Sequence, residues 1–253
     1  MKSLTLNIAL LSIITFILVS CKKDKSNKQE SNTLGISYSD VQFNITTQSN
    51  NPTIILDSLN NTNAAGNIYS IHKLNMYISN IILKKEDGTL YKSDKVFYVD
   101  PSQTSKNFFQ LDSIPKGKYI EFSCLIGVDS TRNVSSGLSS TIDNVNMAWP
   151  AAMGGGYHFI KMEGHYKDTA GTVKGYAIHL GKNINLVKNK FSTSLTLLNS
   201  VHNCSLVFNT NEVFQNPHLY NLNFEKNYTM SDSVAMSKIK INMQDVFTLI
   251  QNN

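Results

Sequence analysis

The chain has 253 residues, with 23 lysines and arginines against 18 aspartates and glutamates, and a formal net charge of +5. Arg132 is the sole arginine, and part of the lysine charge lies near the N terminus, so the remainder is only mildly basic. No basic stripe alternates with aromatic residues, and this composition argues against nucleic-acid binding. The length suits one large all-β domain or two small ones.

The N terminus has the pattern of a bacterial lipoprotein signal. Lys2 precedes an apolar run from Leu4 to Val19, and the tetrad LVSC ends at Cys21. The run is shorter than the roughly 20 residues that span a bilayer, which disfavours the alternative of a transmembrane anchor. We therefore predict that residues 1–20 are a cleaved signal peptide. Acyl chains such as palmitate on Cys21 would then hold the protein on a membrane.

Residues 21–35 are polar and rich in lysine, with almost no apolar side chain. A segment of this composition cannot bury enough surface to offset its ordering entropy, so we predict a disordered tether. The folded domain is then expected at residues 36–253. These features predict an outer-membrane lipoprotein in the cell envelope of a Gram-negative-type bacterium, facing either the periplasm or the cell surface.

Period-two alternation dominates the rest of the chain and predicts β-strands. SDVQFNITT comes first, and the later segments of this kind include NMYISNIIL, KVFYVD, YIEFSCLIGV, GYHFIKMEGHY, VKGYAIHLG, FSTSLTLL and CSLVFNT. Helical spacing is confined to NTNEVFQNP and the terminal INMQDVFTLIQNN. The predicted fold is all-β: an antiparallel, immunoglobulin-like or Greek-key β-sandwich of roughly eight to ten strands with a short C-terminal helix.

Cys124 and Cys204 each fall on the apolar phase of an alternating segment. An exported protein permits a disulfide between them. Two small buried thiols fit the same pattern. The sequence leaves both interpretations open.

The motifs of nucleophilic hydrolases are missing from the sequence. It contains no G-x-S-x-G elbow, and Cys124 lies in the middle of a predicted strand, where a reactive thiol is not expected. The three glycines at 154–156 open a strand, whereas a phosphate-binding loop opens a helix. Because the acidic residues are also few and dispersed, we predict that the protein is not an enzyme.

Histidine and methionine are candidate copper ligands, because imidazole binds either copper state and thioether sulfur suits Cu(I). His72, His158 and His179 lie in predicted strands, and Met147 lies two residues before Trp149, the only tryptophan. The sequence has no H-x-H, H-E-x-x-H or C-x-x-C spacing. Spacing alone therefore leaves open a copper site or ordinary histidines and core methionines.

The segment GVDSTRNVSSG also has two interpretations. Asp129 and Asn133 are suited to Asx-type hydrogen bonds that hold a loop after a strand. Alternatively, Asp129 could help to coordinate a hard cation, although a single carboxylate is too few for such a site.

Five segments carry a family resemblance. KLNMYISNIIL, GVDSTRNVSSG, IDNVNMAWP and GGYHFIKMEG, the last followed by YAIHLG, resemble in order and spacing the motifs of the MbnP-like family of exported proteins, from about residue 38 to 250. The resemblance implies copper handling, a di-haem peroxidase-type partner and a tryptophan that the partner oxidises. It places Trp149, with Met147 before it, in the M-x-W-x-W block. Asp143 matches the aspartate of that block, where it would help to structure the loop, and His179 matches the later histidine.

The sequence departs from the family pattern in the same region. Ala151 stands where a second tryptophan is usual, and Asn144 replaces a proline. If oxidation uses both indoles, this protein has lost it, whereas copper binding through methionine stays open. We therefore expect a membrane-anchored copper-binding lipoprotein that acts as a carrier, a sensor or the substrate of a redox partner. The alternative is a metal-free surface module that binds a protein or a glycan.

Overall fold

The computed structural model describes residues 36–49 and 54–252. Within these residues the chain forms twelve β-strands, most of which alternate buried and exposed side chains. The predictions for the signal peptide, for lipidation of Cys21 and for the tether lie outside these residues. The strands are β1 Tyr38–Gln48, β2 Asn61–Thr62, β3 Ile68–Tyr69, β4 Lys73–Lys85, β5 Leu90–Val99, β6 Phe108–Pro115, β7 Gly117–Ile126, β8 His158–Lys167, β9 Val173–Gly181, β10 Val187–Leu197, β11 Val201–Asn209 and β12 Phe247–Asn252.

Helical structure is short and lies in the connections. The α-helices are α1 Ile142–Asn146 and α2 Ser233–Asn242. Single 3₁₀ turns occupy Ala151–Met153, Asn183–Asn185, Thr210–Phe214 and Met243–Asp245. In the described part of the chain, no helix is long and apolar enough to cross a membrane.

The strands form two sheets. The small sheet has the order β12-β11-β1-β6, and the large sheet has the order β10-β7-β4-β8-β3-β2, with β5 on β4 and β9 on β8. Pairing is antiparallel except between β1 and β11, which run parallel. The predicted all-β, antiparallel sandwich is confirmed, with this one parallel pair as the departure.

The core lies between the two sheets, as the alternation predicts. The ring of Phe43 on β1 stacks on Phe109 with centroids 5.0 Å apart. It also contacts Phe122 of the large sheet at 5.8 Å. Cys124 and Cys204 belong to the same core and are both free thiols. Of the two interpretations of these cysteines, the structure therefore shows buried thiols rather than a disulfide.

The C-terminal helix is present, but it precedes the segment from which it was predicted. Helix α2 begins after Asp232, whose side chain accepts a hydrogen bond from the backbone N–H of Ala235 at 2.8 Å. The terminal residues instead form β12, where Phe247 is buried and pairs with Phe208 of β11. Long-range strand pairing therefore outweighs the weak helical spacing of this short segment.

Candidate functional site

The loop between α1 and β8 folds back over the end of the large sheet. The backbone N–H of Trp149 donates to the carbonyl of Gly156 at 2.8 Å, and that of His158 donates to the carbonyl of Met147 at 2.7 Å. These bonds carry Trp149 onto the end of β9, where only 2% of it is exposed. A Cβ on Gly181 would lie 2.3 Å from Cε3 of Trp149. The indole therefore rests on a position that only glycine can supply.

One histidine packs against this indole, and a second histidine packs against the first. The ring of His158, at the start of β8, has its centroid 4.7 Å from that of Trp149. It also lies 5.0 Å from the ring of His179 on β9, with the two planes at 88°. The β8–β9 pairing has a bulge between His158 and Ile160, and His158 lies opposite Gly181. The strand pairing thus gathers the single tryptophan and two imidazoles at one end of the sheet.

The hydrogen bonds of His158 define its protonation. Its Nδ1 lies 3.1 Å from the carbonyl oxygen of Met147. A carbonyl can only accept, so Nδ1 carries the proton and Nε2 keeps its lone pair. Burial lowers the pKa of His158 from 6.5 to about 4, with smaller contributions from nearby Lys161 and His179. The imidazole is therefore neutral at pH 7.

A carboxylate holds the second imidazole in the same manner. Nε2 of His179 lies 3.0 Å from Oε1 of Glu163, while Nζ of Lys73 donates to the other carboxylate oxygen at 3.1 Å. The hydrogen bond from His179 and the bond from Lys73 lower the pKa of Glu163 from 4.5 to about 2, against the effect of burial. Because the ionised carboxylate accepts from Nε2, Nδ1 is the nitrogen of His179 that carries the lone pair when the ring is neutral.

This arrangement is typical of metal-binding histidines. Such residues usually donate their second ring N–H to a carboxylate or a backbone carbonyl, which fixes the tautomer and the ring orientation. His158 and His179 show one case of each. The Nε1 atom of Trp149 is buried and has no hydrogen-bond partner among residues 36–49 and 54–252.

The donor types set a limit on any metal site here. Within the described ranges, no group of three or more His, Cys, Asp or Glu side chains is placed to hold a metal ion. A copper ion would therefore need the two imidazoles together with a donor of another kind, such as methionine sulfur. Met147 is buried, and its backbone already supports His158.

His72 lies apart from this pair, contrary to its place among the predicted ligands. Its Nδ1 is 2.8 Å from Oδ1 of Asp57, and the His72 side chain is 59% exposed. Only the backbone of His72 approaches the site, through a hydrogen bond to the carbonyl of Glu163 at 2.8 Å. The structure therefore does not bring the His72 side chain together with His158 and His179.

The loop residues Asp129 and Asn133 make local hydrogen bonds. Asp129 accepts from the backbone and hydroxyl of Thr131 and from the guanidinium of Arg132. Burial would raise the pKa of Asp129, but these bonds outweigh it and hold the pKa below its ordinary value. Asn133 accepts from the backbone N–H of Tyr157 at 2.9 Å. The loop is thereby fixed beside the first residues of β8.

Asp143 lies in α1, farther along the same loop region. Its Oδ1 is 2.7 Å from Nζ of Lys106. The next residue, Asn144, accepts a hydrogen bond from the hydroxyl of Tyr77 at 2.7 Å. Both contacts fasten α1, which has no buried residue of its own, to the sandwich.

A cleft of about 250 Å³ reaches Trp149 from the surface. Its lining includes the serines at 135, 136, 139 and 140, together with Val145 and Tyr157. The neighbouring apolar residues Ile142 and Val145 are 81% and 61% exposed. The cleft therefore reaches the indole, whereas neither His158 nor His179 is among its lining residues.

Two residues of the site had no role in the sequence predictions. These are Glu163, which orients His179, and Gly181, which receives the indole. The hairpin register supplied a signal for Glu163, because pairing β8 with β9 across the DTAGT turn places Lys161 opposite His179 and Glu163 two residues farther along. Gly181 carried no comparable signal, since its role depends on the folded loop.

Comparisons with known proteins agree with the fold. The family model described as MbnP matches residues 17–246. The solved structure of MbnP from Methylosinus trichosporium has a TM-score of 0.52 and 10% sequence identity, and it covers 86% of this chain and 100% of that chain. At this identity, the likeness supports the fold alone. A comparison with curated proteins gave no match. The family match over most of the sequence shows that the chain belongs to the MbnP family.

Proposed function

We propose that this protein is a membrane-anchored lipoprotein of the bacterial cell envelope that binds copper beside Trp149. It acts as a copper carrier, a sensor or the substrate of a redox partner, and it is not an enzyme. The observation that carries the proposal is the pair of imidazoles 5.0 Å apart, each held through one nitrogen by an acceptor. In its neutral form, each ring then has one unprotonated nitrogen that can bind a metal.

The donor set fits copper better than zinc. Structural zinc sites use four ligands from Cys, His and carboxylates. The described residues supply no group of three such side chains here. Copper accepts imidazole in either oxidation state, and Cu(I) adds a preference for thioether sulfur. His158, His179 and Met147 are therefore the proposed ligands.

The proposed membrane anchor and the proposed redox partner are both supported by the sequence. The apolar run that ends in LVSC supports lipidation at Cys21 and thereby anchoring to the outer membrane. Family membership supports a partner of the di-haem peroxidase type, with Trp149 as the residue that it would oxidise. Peptide mass spectrometry of Trp149, with and without the partner, tests this part of the proposal.

Single histidine variants test the copper site. His158→Ala and His179→Ala should each weaken Cu(I) binding by at least the roughly 10- to 100-fold that loss of an outer hydrogen-bond partner costs. His165→Ala is the matched control, because His165 lies on the same strand as His158 but is exposed. Competition with a Cu(I) chelator measures all three. Equal affinity of the four proteins, the wild type included, would refute the site.

A second candidate is a metal-free module that binds a protein or a glycan. Two observations favour it: no group of three His, Cys, Asp or Glu side chains is placed to hold a metal among the described residues, and α1 carries exposed apolar side chains. Under this function, His179→Ala combined with Met147→Ala leaves partner binding intact. Under the copper proposal, the same double variant abolishes copper binding.

A further inference from the structure

The described chain begins at the end of the sandwich that lies farthest from Trp149. The carbonyl of Ser37 accepts a hydrogen bond from the backbone of Lys116 at 2.8 Å. The hydroxyl of Ser39 donates to the carbonyl of Asn199 at 2.6 Å. The first residues therefore lie between the β6–β7 turn and the β10–β11 hairpin.

Four exposed apolar side chains lie around this point. Ile36, Tyr38, Leu198 and Val201 are 67%, 51%, 67% and 64% exposed, and we call them the N-terminal face. Val201 is in parallel register with Asp40, so the two side chains point to the same side of the sheet. Tyr38 lies two residues before Asp40 and shares that side. Val201 and Tyr38 thus belong to one outer surface.

The apolar character stops abruptly along the same surface. The outward residues that follow are polar, namely Gln42 and Asn44 on β1, and Asn203 and Ser205 on β11. Single exposed apolar residues are normal on any protein, whereas a group at one end of an otherwise polar face marks a contact surface.

The position of this face identifies what covers it. Cys21 lies about 15 residues before Ile36, and a chain of that length reaches at most about 50 Å even when fully extended. An acylated Cys21 would therefore bring the chain onto the domain from the bilayer at this end, within that distance of the lipid. Tyrosine and aliphatic side chains are suited to the membrane interface.

We propose that the N-terminal face docks on the lipid bilayer to which Cys21 anchors the chain, which holds the Trp149 cleft away from the membrane. The proposal rests on the membrane anchoring of the proposed function. Strand β10 connects the two ends of the domain. Leu197 ends it next to Leu198, and Val187 begins it just after Asn185, whose side chain donates to the carbonyl of Gly181 at 2.8 Å.

This strand sets the distance between the two ends. The eleven residues of β10 rise about 3.3 Å each, so Trp149 would be held roughly 30 Å from the docked face. The cleft would then open to the aqueous side, where a soluble partner can reach it.

The test uses the full lipoprotein, purified in detergent and reconstituted into vesicles of phosphatidylethanolamine and phosphatidylglycerol. A fraction of the lipid carries a nitroxide quencher on the headgroup. One variant places a fluorophore at Val201→Cys, and the matched control places it at Val145→Cys, where exposure is 61% against 64%. Docking predicts strong quenching at position 201 and little at 145. Equal quenching at the two positions, or stronger quenching at 145, would overturn it.

Two further arms separate the causes of failure. In the Val201→Cys protein, Ile36→Asp with Leu198→Asp should relieve the quenching, and unchanged quenching would show that the apolar contacts do not hold the face. Labelling of the wild-type protein tests the anchor. An acylated Cys21 does not react with the thiol-reactive fluorophore, whereas a free Cys21 does. Labelling of Cys21 would overturn the anchor and the docking together, while copper binding would be untouched.

Discussion

Replacement of Gly181 by alanine tests how closely Trp149 depends on the strand beneath it. The new Cβ would lie 2.3 Å from Cε3, 2.6 Å from Cζ3 and 2.9 Å from Cδ2 of the indole. Gly181 has no left-handed backbone angle, so the cost is steric alone. Overpacking of this kind typically destabilises by about 1–3 kcal/mol. The indole must therefore move away from His158, or the loop must open.

The assay is simple because Trp149 is the only tryptophan. Gly181→Ala should shift its emission to longer wavelength, lower the urea midpoint and weaken copper binding. Gly175→Ala is the matched control on the same strand, where a Cβ would meet the hydroxyl of the exposed Tyr228 at 3.0 Å and the carbonyl oxygen of Gly164 at an ordinary 3.9 Å. Unchanged emission and stability in Gly181→Ala would refute the packing of the indole on β9.

Three other outcomes follow from the site and the core. Glu163→Gln should weaken copper binding by roughly 10- to 100-fold, whereas Glu121→Gln, which alters only the pair with Lys190 at 3.0 Å, should not, by chelator competition. The pKa of His158 is about 4 in the folded protein, against an ordinary value of 6.5 in the unfolded chain. Because the unfolded chain takes up the proton first, the stability that depends on the neutral ring should be lost as pH falls from 6.5 towards 4. A thermal melt series should show a smaller loss over that window in His158→Gln, and an identical loss would contradict this. Burial raises the pKa of Cys204 to about 11 and raises that of Cys124 further, so both thiols should react with a disulfide reagent only after the protein unfolds. If both cysteines stayed unreactive in protein that had been denatured without a reductant, they would instead form a disulfide.

The fold was predictable where local patterns decide it. The alternation of Val41, Phe43 and Ile45 corresponds to the buried face of β1. The parallel pairing of β1 with β11 was not predictable, because Ser39 and Asn199 meet across 160 residues and no local signal records that contact. The same reason explains β12, whose strand character comes from pairing with β11.

The candidate site was predictable in part. The family motifs led to Trp149 and His179, and the residue-type argument led to His158, whose ring contacts both of the others. His72 came from the same residue-type argument, but its side chain points to Asp57 at the surface. Residue type alone cannot separate these cases, because the strand face and the hydrogen-bond partner decide which imidazole is available.

The most direct test of the copper proposal is native mass spectrometry of the chain from residue 22 onward. The protein would be titrated anaerobically with Cu(I) and aerobically with Cu(II), with zinc as the competitor. The account predicts one copper per chain that resists zinc and disappears in the protein that carries both His158→Ala and His179→Ala. Weak, multiple adducts that zinc displaces equally well in both proteins would contradict the copper site.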